Sequence, residues 1–180
     1  TLLQSDDTAL IIECLNGYRL KERIPDNLGE FTVPMGVPEI IKEGVDLTIV
    51  TYGSMCRIVM EAANDLEAGG IFCEVVDVQT LLPFDIHHVI VESIKKTNRV
   101  LFTDEDVSGG ATGYMMQKVL EEQGAFQYLD SPAATLPGKD HRPAYGTDGD
   151  YFSKPNPENV FDKVYQIMRE AEPDRFPSLY

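Results

Sequence analysis

The sequence predicts an α/β domain, a three-layer, doubly wound and mostly parallel sheet with helices on both faces. Beyond Gly44, short β-branched and apolar runs alternate with segments whose apolar residues recur at helical spacing. Strands joined through helices are parallel and buried on both faces, which explains why each run is apolar throughout. With 180 residues, the chain is long enough to bury a core of its own.

Four strands are predicted in this region, each bounded by turn or cap residues. They span residues 46–52, 71–78, 99–103 and 126–129. Four helices complete the pattern, with predicted N-caps at Ser54, Asp85, Thr112 and Asn156. Their apolar stripes are Met55 to Leu66 in the first, Ile86, Val89, Ile90 and Ile94 in the second, Met115, Met116, Val119 and Leu120 in the third, and Val160, Phe161, Val164, Tyr165 and Met168 in the last.

Two segments lie outside the alternating pattern. Residues 8–14 are apolar and predict a strand that ends at an Asn-Gly turn, followed by a proline- and glycine-rich linker over residues 18–44 with a short edge strand at 31–33. A second proline- and glycine-rich loop spans residues 131–157. A loop of that length is predicted to be functional or packed on a neighbour.

Composition and charge exclude several classes of protein. The chain has 30 acidic and 15 basic residues and a formal net charge of −15, which disfavours nucleic acid as a partner because phosphates would meet a repulsive field. No apolar run reaches the roughly 18 residues that a membrane span needs, and the first residues lack the basic start of a secretory signal. Three widely spaced cysteines, Cys14, Cys56 and Cys73, predict core packing in a reducing, cytoplasmic compartment.

The residues alone predict no catalytic, cofactor-binding or metal-binding site. Gly109, Gly110 and Gly113 follow a strand but lack the spacing of a dinucleotide-binding turn, and the preceding Asp104, Glu105 and Asp106 oppose phosphate, so tight strand-to-helix packing is favoured. For the three carboxylates, a solvated acidic turn is favoured over a metal site. His141 is expected to make a loop hydrogen bond, and His87 and His88 to be neutral helix residues. The stretch GTDGDYF resembles the start of a thiamine diphosphate motif only superficially.

Longer segments carry a resemblance to a known family. GVDLTIVTYGSMCRIVMEAA, EVVDVQTLLPFD and RVLFTDEDVSGG, taken in order, closely resemble the C-terminal domain of the transketolase superfamily. The most similar members are the beta portions of thiamine diphosphate-dependent 2-oxo acid dehydrogenases of the pyruvate and branched-chain type. ALIIECLNGYR is similar to the end of the preceding pyrimidine-binding domain, so residues 1–44 are expected to be that end plus a linker, and residues 45–180 the C-terminal domain.

The resemblance implies a role in assembly for this domain. Thiamine diphosphate and magnesium would bind elsewhere in a longer parent enzyme, and the isolated domain would be inactive. The domain would form homodimer or heterotetramer contacts and dock the acyltransferase core component. The candidate interface residues are Pro83 and Phe84, Gly109 and Gly110 of the glycine-rich turn, and Glu105 before that turn.

One departure from the family pattern leaves the substrate open. Beta subunits usually carry His-Glu-Ala-Pro where this chain has Asp104, Glu105, Asp106 and Val107, which fits a subgroup with fused alpha and beta portions. Pyruvate, branched-chain 2-oxo acids and 2-oxoglutarate are not distinguished. The alternatives are the C-terminal domain of a transketolase or deoxyxylulose phosphate synthase, a stand-alone acidic module that docks a basic protein, and a small nucleotide-binding enzyme.

Overall fold

The computed structural model describes residues 1–142 and 149–178, without the side chains of residues 15 and 16. Its centre is a five-stranded sheet with the order β1-β3-β2-β4-β5. The strands are β1 (Glu39–Lys42), β2 (Leu47–Thr51), β3 (Cys73–Asp77), β4 (Val100–Thr103) and β5 (Ala134–Leu136). Only the edge strand β1 is antiparallel to its neighbour, and the other described pairings are parallel.

Helices cover both faces of the sheet. They are α1 (Met55–Ala68), α2 (Val89–Thr97), α3 (Ala111–Gln117, continued as a π-helix over Lys118–Glu122), α4 (Gly149–Ser153) and α5 (Pro157–Ala171). Helices α1 and α5 share one buried cluster with Leu47, Ile49 and Leu101, whereas α2 and α3 share the other with Val50 and Phe102. The three-layer, doubly wound and mostly parallel fold is therefore confirmed.

Strand β2 is the topological centre of the sheet. All five of its residues are buried, since the strand has neighbours on both edges and helices on both faces. The chain passes from β2 to β3 on one side and then crosses to β4 on the other. The carboxyl ends of β2 and β4 thus lie at the switch point where doubly wound folds commonly place functional groups.

The predicted strand over residues 8–14 is wrong. The segment is irregular, and Leu10, Ile11 and Ile12 are exposed. Apolar residues with high β-propensity form a strand only when a neighbouring strand accepts their backbone hydrogen bonds, and the described sheet offers this segment none.

Two further strand predictions are also wrong. Residues 31–33 are irregular, and the edge strand is β1, eight residues later. Residues 126–129 fall largely in a 3-10 helix, Ala125–Tyr128, that follows Gly124 in the left-handed region. The fourth parallel strand is β5, inside the long loop, where three residues pair with Leu101, Phe102 and Thr103.

The predicted start of α5 is confirmed, whereas α2 and α3 begin at other residues than predicted. Asn156 caps α5 through a capping box with Asn159, and Pro157 is its first residue, as predicted. Helix α3 begins one residue before Thr112, which is buried inside it, and its N-cap is Gly110. Helix α2 begins at Val89 and leaves Ile86 exposed, but the Asp85 carboxylate does accept from the Val89 and Ile90 N–H groups at 2.8 and 2.9 Å.

Candidate functional site

The first half of the candidate interface is the Pro83 turn, defined as residues 82–86. Leu82 and Ile86 are 77% and 51% exposed, and the Leu82–Pro83 peptide bond is cis. Phe84 packs edge-on against Tyr114 of α3, with ring centroids 5.8 Å apart. The turn therefore presents aliphatic side chains to solvent above an aromatic pair.

The linker packs against the Pro83 turn and fixes its conformation. Gly36 has φ +72°, and a Cβ on it would come within 2.9 Å of the Pro83 Cγ, so only glycine lets the two segments meet this closely. The Ile86 N–H donates to the Gly36 carbonyl at 2.9 Å, and the Gly36 N–H donates to the Thr80 hydroxyl at 2.7 Å. These bonds give the turn a defined shape before any partner binds.

A cavity of about 370 Å³ lies beside this turn. Its lining includes Phe84, Tyr114, Lys118 and Gln123. The Gln123 amide donates to the Asp85 carbonyl at 3.0 Å, while its own buried carbonyl oxygen has no partner among the described residues. The surface around the Pro83 turn is thus partly concave and carries an unused acceptor.

The second half is the Gly109 turn, defined as residues 107–110. Gly109 has φ +76°, and a Cβ on Gly110 would overlap the Asp106 carboxylate. Val107 is 53% exposed, and the Ser108 N–H donates to the Asp140 carboxylate at 3.0 Å. The glycines serve the tight strand-to-helix turn that the sequence favoured over phosphate binding.

Tyr114 joins the two turns. Its N–H donates to the Gly110 carbonyl at 3.1 Å, and its hydroxyl donates to the Leu81 carbonyl at 2.9 Å. Sequence reasoning placed neither Tyr114 nor Gly36 at this surface, because an aromatic at a helix start and a glycine in a linker carry no local signal of what they contact. Pro83, Phe84, Gly109 and Gly110 form one continuous region through Tyr114.

The Glu105 side chain contacts residues that lie outside the two turns. Its carboxylate accepts from the Ser54 hydroxyl at 2.8 Å and pairs with Lys154 at 2.7 Å. Burial opposes ionisation, but the hydrogen bonds from Lys154 and Ser54 prevail and lower the pKa of Glu105. This residue ties the loops after β2 and β4 to the end of α4, so its carboxylate is already satisfied within the chain.

Buried Asp104 and half-buried Tyr52 form a hydrogen-bonded pair at the switch point. Asp104 is fully buried and accepts from the Asp106 N–H at 3.1 Å and the Tyr52 hydroxyl at 3.3 Å. Burial, with a contribution from the charge of Asp106, raises the pKa of Asp104 to about 6. Burial and the neighbouring Asp104 carboxylate raise the pKa of Tyr52. Asp104 can therefore titrate near neutral pH while Tyr52 keeps its proton, and the described residues contain no cluster of metal-ligating side chains.

The remaining candidates of the sequence lie apart from this surface. The His141 ring is 3.0 Å from the Arg142 carbonyl, which is the predicted kind of loop hydrogen bond. His87 and His88 precede α2 instead of lying within it, because His88 adopts a left-handed conformation. Of the GTDGDYF stretch, residues 149–152 belong to α4 and residues 146–148 lie outside the described residues.

All three cysteines are free, and Cys73 is fully buried in the core as predicted, whereas Cys14 and Cys56 are half-buried. Burial and the adjacent Asp77 carboxylate raise the pKa of the Cys56 thiol. No described helix is both long and apolar enough to cross a membrane.

Comparison with known proteins places the chain in a family. The family model described as the transketolase C-terminal domain matches residues 36–160. The chain is 32% identical over 167 residues to the pyruvate dehydrogenase E1 component subunit beta of Rickettsia conorii, covering 93% of this chain and 50% of that protein. It is 36% identical over 140 residues to the subunit of the same name from Rhizobium meliloti, covering 78% of this chain and 30% of that protein. The chain thus spans about half the length, or less, of these relatives.

Solved structures agree with this placement. A split-gene transketolase described as an inactive beta4 tetramer superposes with a TM-score of 0.62 at 27% identity, covering 77% of this chain and 43% of that one. A transketolase from Pichia stipitis has the same fold, with a TM-score of 0.53 at 16% identity, covering 81% of this chain and 20% of that one. The family model covers most of the sheet and its helices, and the chain belongs to the transketolase C-terminal domain family.

Proposed function

We propose that the chain is the C-terminal assembly and partner-docking domain of a 2-oxo acid dehydrogenase decarboxylating component. The observation that carries this proposal is the similarity to pyruvate dehydrogenase E1 beta subunits, which extends over 93% of the chain. The parent enzyme would oxidatively decarboxylate a 2-oxo acid in the cytoplasm and transfer the acyl group to lipoamide. Pyruvate is the favoured substrate because the relatives bear its name.

The cofactor would bind outside the described residues. These residues contain no group of three or more metal-ligating side chains, and the carboxylates at the switch point are committed to Tyr52, Ser54 and Lys154. When bound in the parent, thiamine diphosphate with magnesium supplies the carbanion stabilisation that decarboxylation needs. The residues of this chain would contribute by holding subunits together.

Assembly is assigned to the surface formed by the Pro83 and Gly109 turns. Exposed Leu82, Ile86 and Val107 supply apolar area, and the bonds from Gly36 and Tyr114 keep both turns in place. A preorganised apolar surface loses little entropy on association. It suits a second copy of the chain, in a homodimer or in a heterotetramer with an alpha portion.

Substitution at an exposed residue tests this assignment. Leu82→Asp should lower the dimer fraction of the full chain in sedimentation velocity, because a carboxylate would be buried in the interface. Phe72→Asp is the matched control, since Phe72 is an exposed apolar residue at the amino end of β3. Equal dimer fractions in the two variants would remove the assignment.

Docking of the acyltransferase component is proposed to depend on the net negative charge of the chain. With a net charge of −15, the chain would attract a basic subunit-binding domain, and the attraction should weaken with salt. Calorimetric titration of the chain with the acyltransferase component at low and high salt tests this. Absent or salt-independent binding contradicts the docking role.

The proposed inactivity of the isolated chain is tested separately. Binding of thiamine diphosphate with magnesium, or turnover of a 2-oxo acid by the chain alone, would contradict it.

A second candidate is the C-terminal domain of a transketolase. It is favoured by the likeness to the split-gene transketolase, at 27% identity. Mixing the chain with the substrate-binding subunit of each enzyme class and measuring complex formation by size-exclusion chromatography separates the two. A stable complex with the transketolase subunit alone would replace the first proposal.

A further inference from the structure

A second cavity, of about 330 Å³, lies between the segment after β5, the end of α4 and the first turns of α5. Three lysines line it, Lys139, Lys154 and Lys163, and Asp162 is the one carboxylate in the described lining. The chain has only 15 basic residues against 30 acidic ones, so a local excess of positive charge is unexpected. We call this site the lysine cavity.

Two of the three ammonium groups lack a carboxylate partner among the described residues. The Lys139 ammonium group lies over the Phe152 ring, 3.5 Å from its centroid, and the Lys163 ammonium group has no hydrogen bond or ion pair within the described part of the chain. Lys154 pairs with Glu105 at 2.7 Å and lies 3.8 Å from Asp150. Lys139 and Lys163 therefore keep their charge available for a ligand.

A buried hydroxyl provides a second, independent observation. Ser153 lines the same cavity and is 3% exposed, yet its Oγ has no hydrogen-bond partner among the described residues. A buried hydroxyl without a hydrogen-bond partner is unfavourable, and a ligand that accepts from it removes that penalty. The Lys139 N–H donates to the Ser153 carbonyl at 2.9 Å, so the hydroxyl and the lysine backbone are held beside each other.

We propose that the lysine cavity binds a small phosphate-bearing anion through Lys139, Lys163 and the Ser153 hydroxyl. Ammonium groups are point charges that suit the several oxygens of a tetrahedral phosphate, whereas planar carboxylates are best matched by a bidentate arginine, and no arginine lines the described cavity. The volume is at the lower end for ligand pockets and admits a small metabolite. This site is separate from the two interface turns and does not depend on the proposed function.

Binding can be measured by amide chemical-shift titration of the full chain with inorganic phosphate. Ionic strength and pH are held constant with sodium chloride, and sodium acetate is titrated in parallel. Saturable shifts at Gly138, Ser153 and Lys163 are expected with phosphate, and weaker or no saturation with acetate. Shifts that rise linearly, or that are the same with acetate, overturn the proposal.

Paired variants locate the site. Lys139→Gln with Lys163→Gln should weaken phosphate binding by about a hundredfold, because each of the two lost charged hydrogen bonds is worth about tenfold. Lys21→Gln with Lys95→Gln is the matched control, since it removes equal charge from an exposed position of the linker and from α2. Ser153→Ala should weaken binding about threefold to tenfold by the loss of a neutral donor. Equal weakening in the control pair would show a general charge effect and overturn the assignment.

Discussion

Replacing the buried Asp104 should stabilise the protein at neutral pH. Asp104 lies at the carboxyl end of β4 and is fully buried. In Asp104→Asn, the side-chain carbonyl can still accept from the Asp106 N–H, and the amide can donate to the Tyr52 hydroxyl oxygen. The substitution thus removes the charge while keeping the size and both hydrogen bonds.

The magnitude follows from the pKa of the carboxyl group. Burial raises the pKa of Asp104 from its ordinary value of 3.8 to about 6. Each unit is worth about 1.4 kcal/mol, so the buried charge destabilises the fold by about 3 kcal/mol at most. Because the native state binds the proton more tightly than the unfolded state, this penalty is absent below pH 3.8, grows between the two pKa values and is complete above about pH 6.

Urea unfolding of the two proteins from pH 4 to pH 8 measures this difference. We expect similar free energies of unfolding near pH 4 and a gain of about 1–3 kcal/mol for Asp104→Asn at pH 7.5. Asp65→Asn, on the exposed face of α1, is the control and should show no such pH-dependent gain. A constant difference across the pH range, or a loss of stability at pH 7.5, would refute the electrostatic reasoning.

Three further changes test the packing and the caps by urea unfolding at pH 7. Gly44→Ala should cost about 3 kcal/mol or more, because its Cβ would lie under 3.0 Å from the backbone of Cys73, and an unchanged midpoint would contradict this close approach. Asn156→Ala should cost about 1 kcal/mol by removing the acceptor for the Asn159 N–H, and Asn156→Asp should retain most of that stability if capping is the cause. Leu101→Ala should cost about 2–5 kcal/mol, since Leu101 is fully buried, whereas a loss below 1 kcal/mol would show that the core refills the cavity.

Elements defined by local sequence patterns were predicted correctly, whereas elements that depend on pairing between distant segments were not. Strands β2, β3 and β4 and helices α1 and α5 were correctly located, because apolar runs, helical spacing and caps are local properties of the chain. Strands β1 and β5 were missed because each lies within a proline- and glycine-rich segment that predicts a loop, and each is fixed only by pairing with a neighbouring strand. The strand predicted over residues 8–14 failed for the converse reason, since no described strand pairs with it.

The candidate interface could also be predicted only in part from the sequence. The glycines at 109 and 110 and the Pro83-Phe84 pair could be selected from the sequence through their resemblance to a family. Their connection through Tyr114 and the support from Gly36 required the fold, because the contacts of Tyr114 with Leu81 and of Gly36 with Pro83 join segments that are far apart in sequence. Glu105 was selected together with them, but its carboxylate faces Ser54 and Lys154.

Local patterns and overall composition were enough to predict a doubly wound α/β domain of a recognisable family with a strongly acidic composition, since periodicity, caps and net charge are carried by neighbouring residues or by the chain as a whole. The positions at which charge is buried or concentrated depend instead on the three-dimensional fold. The fold buries Asp104 in a low-dielectric environment. It also brings Lys139, Lys154 and Lys163 together, although the linear sequence shows no basic cluster. Electrostatic energy depends on distance and solvent exposure in space, and neither can be read from spacing along the chain.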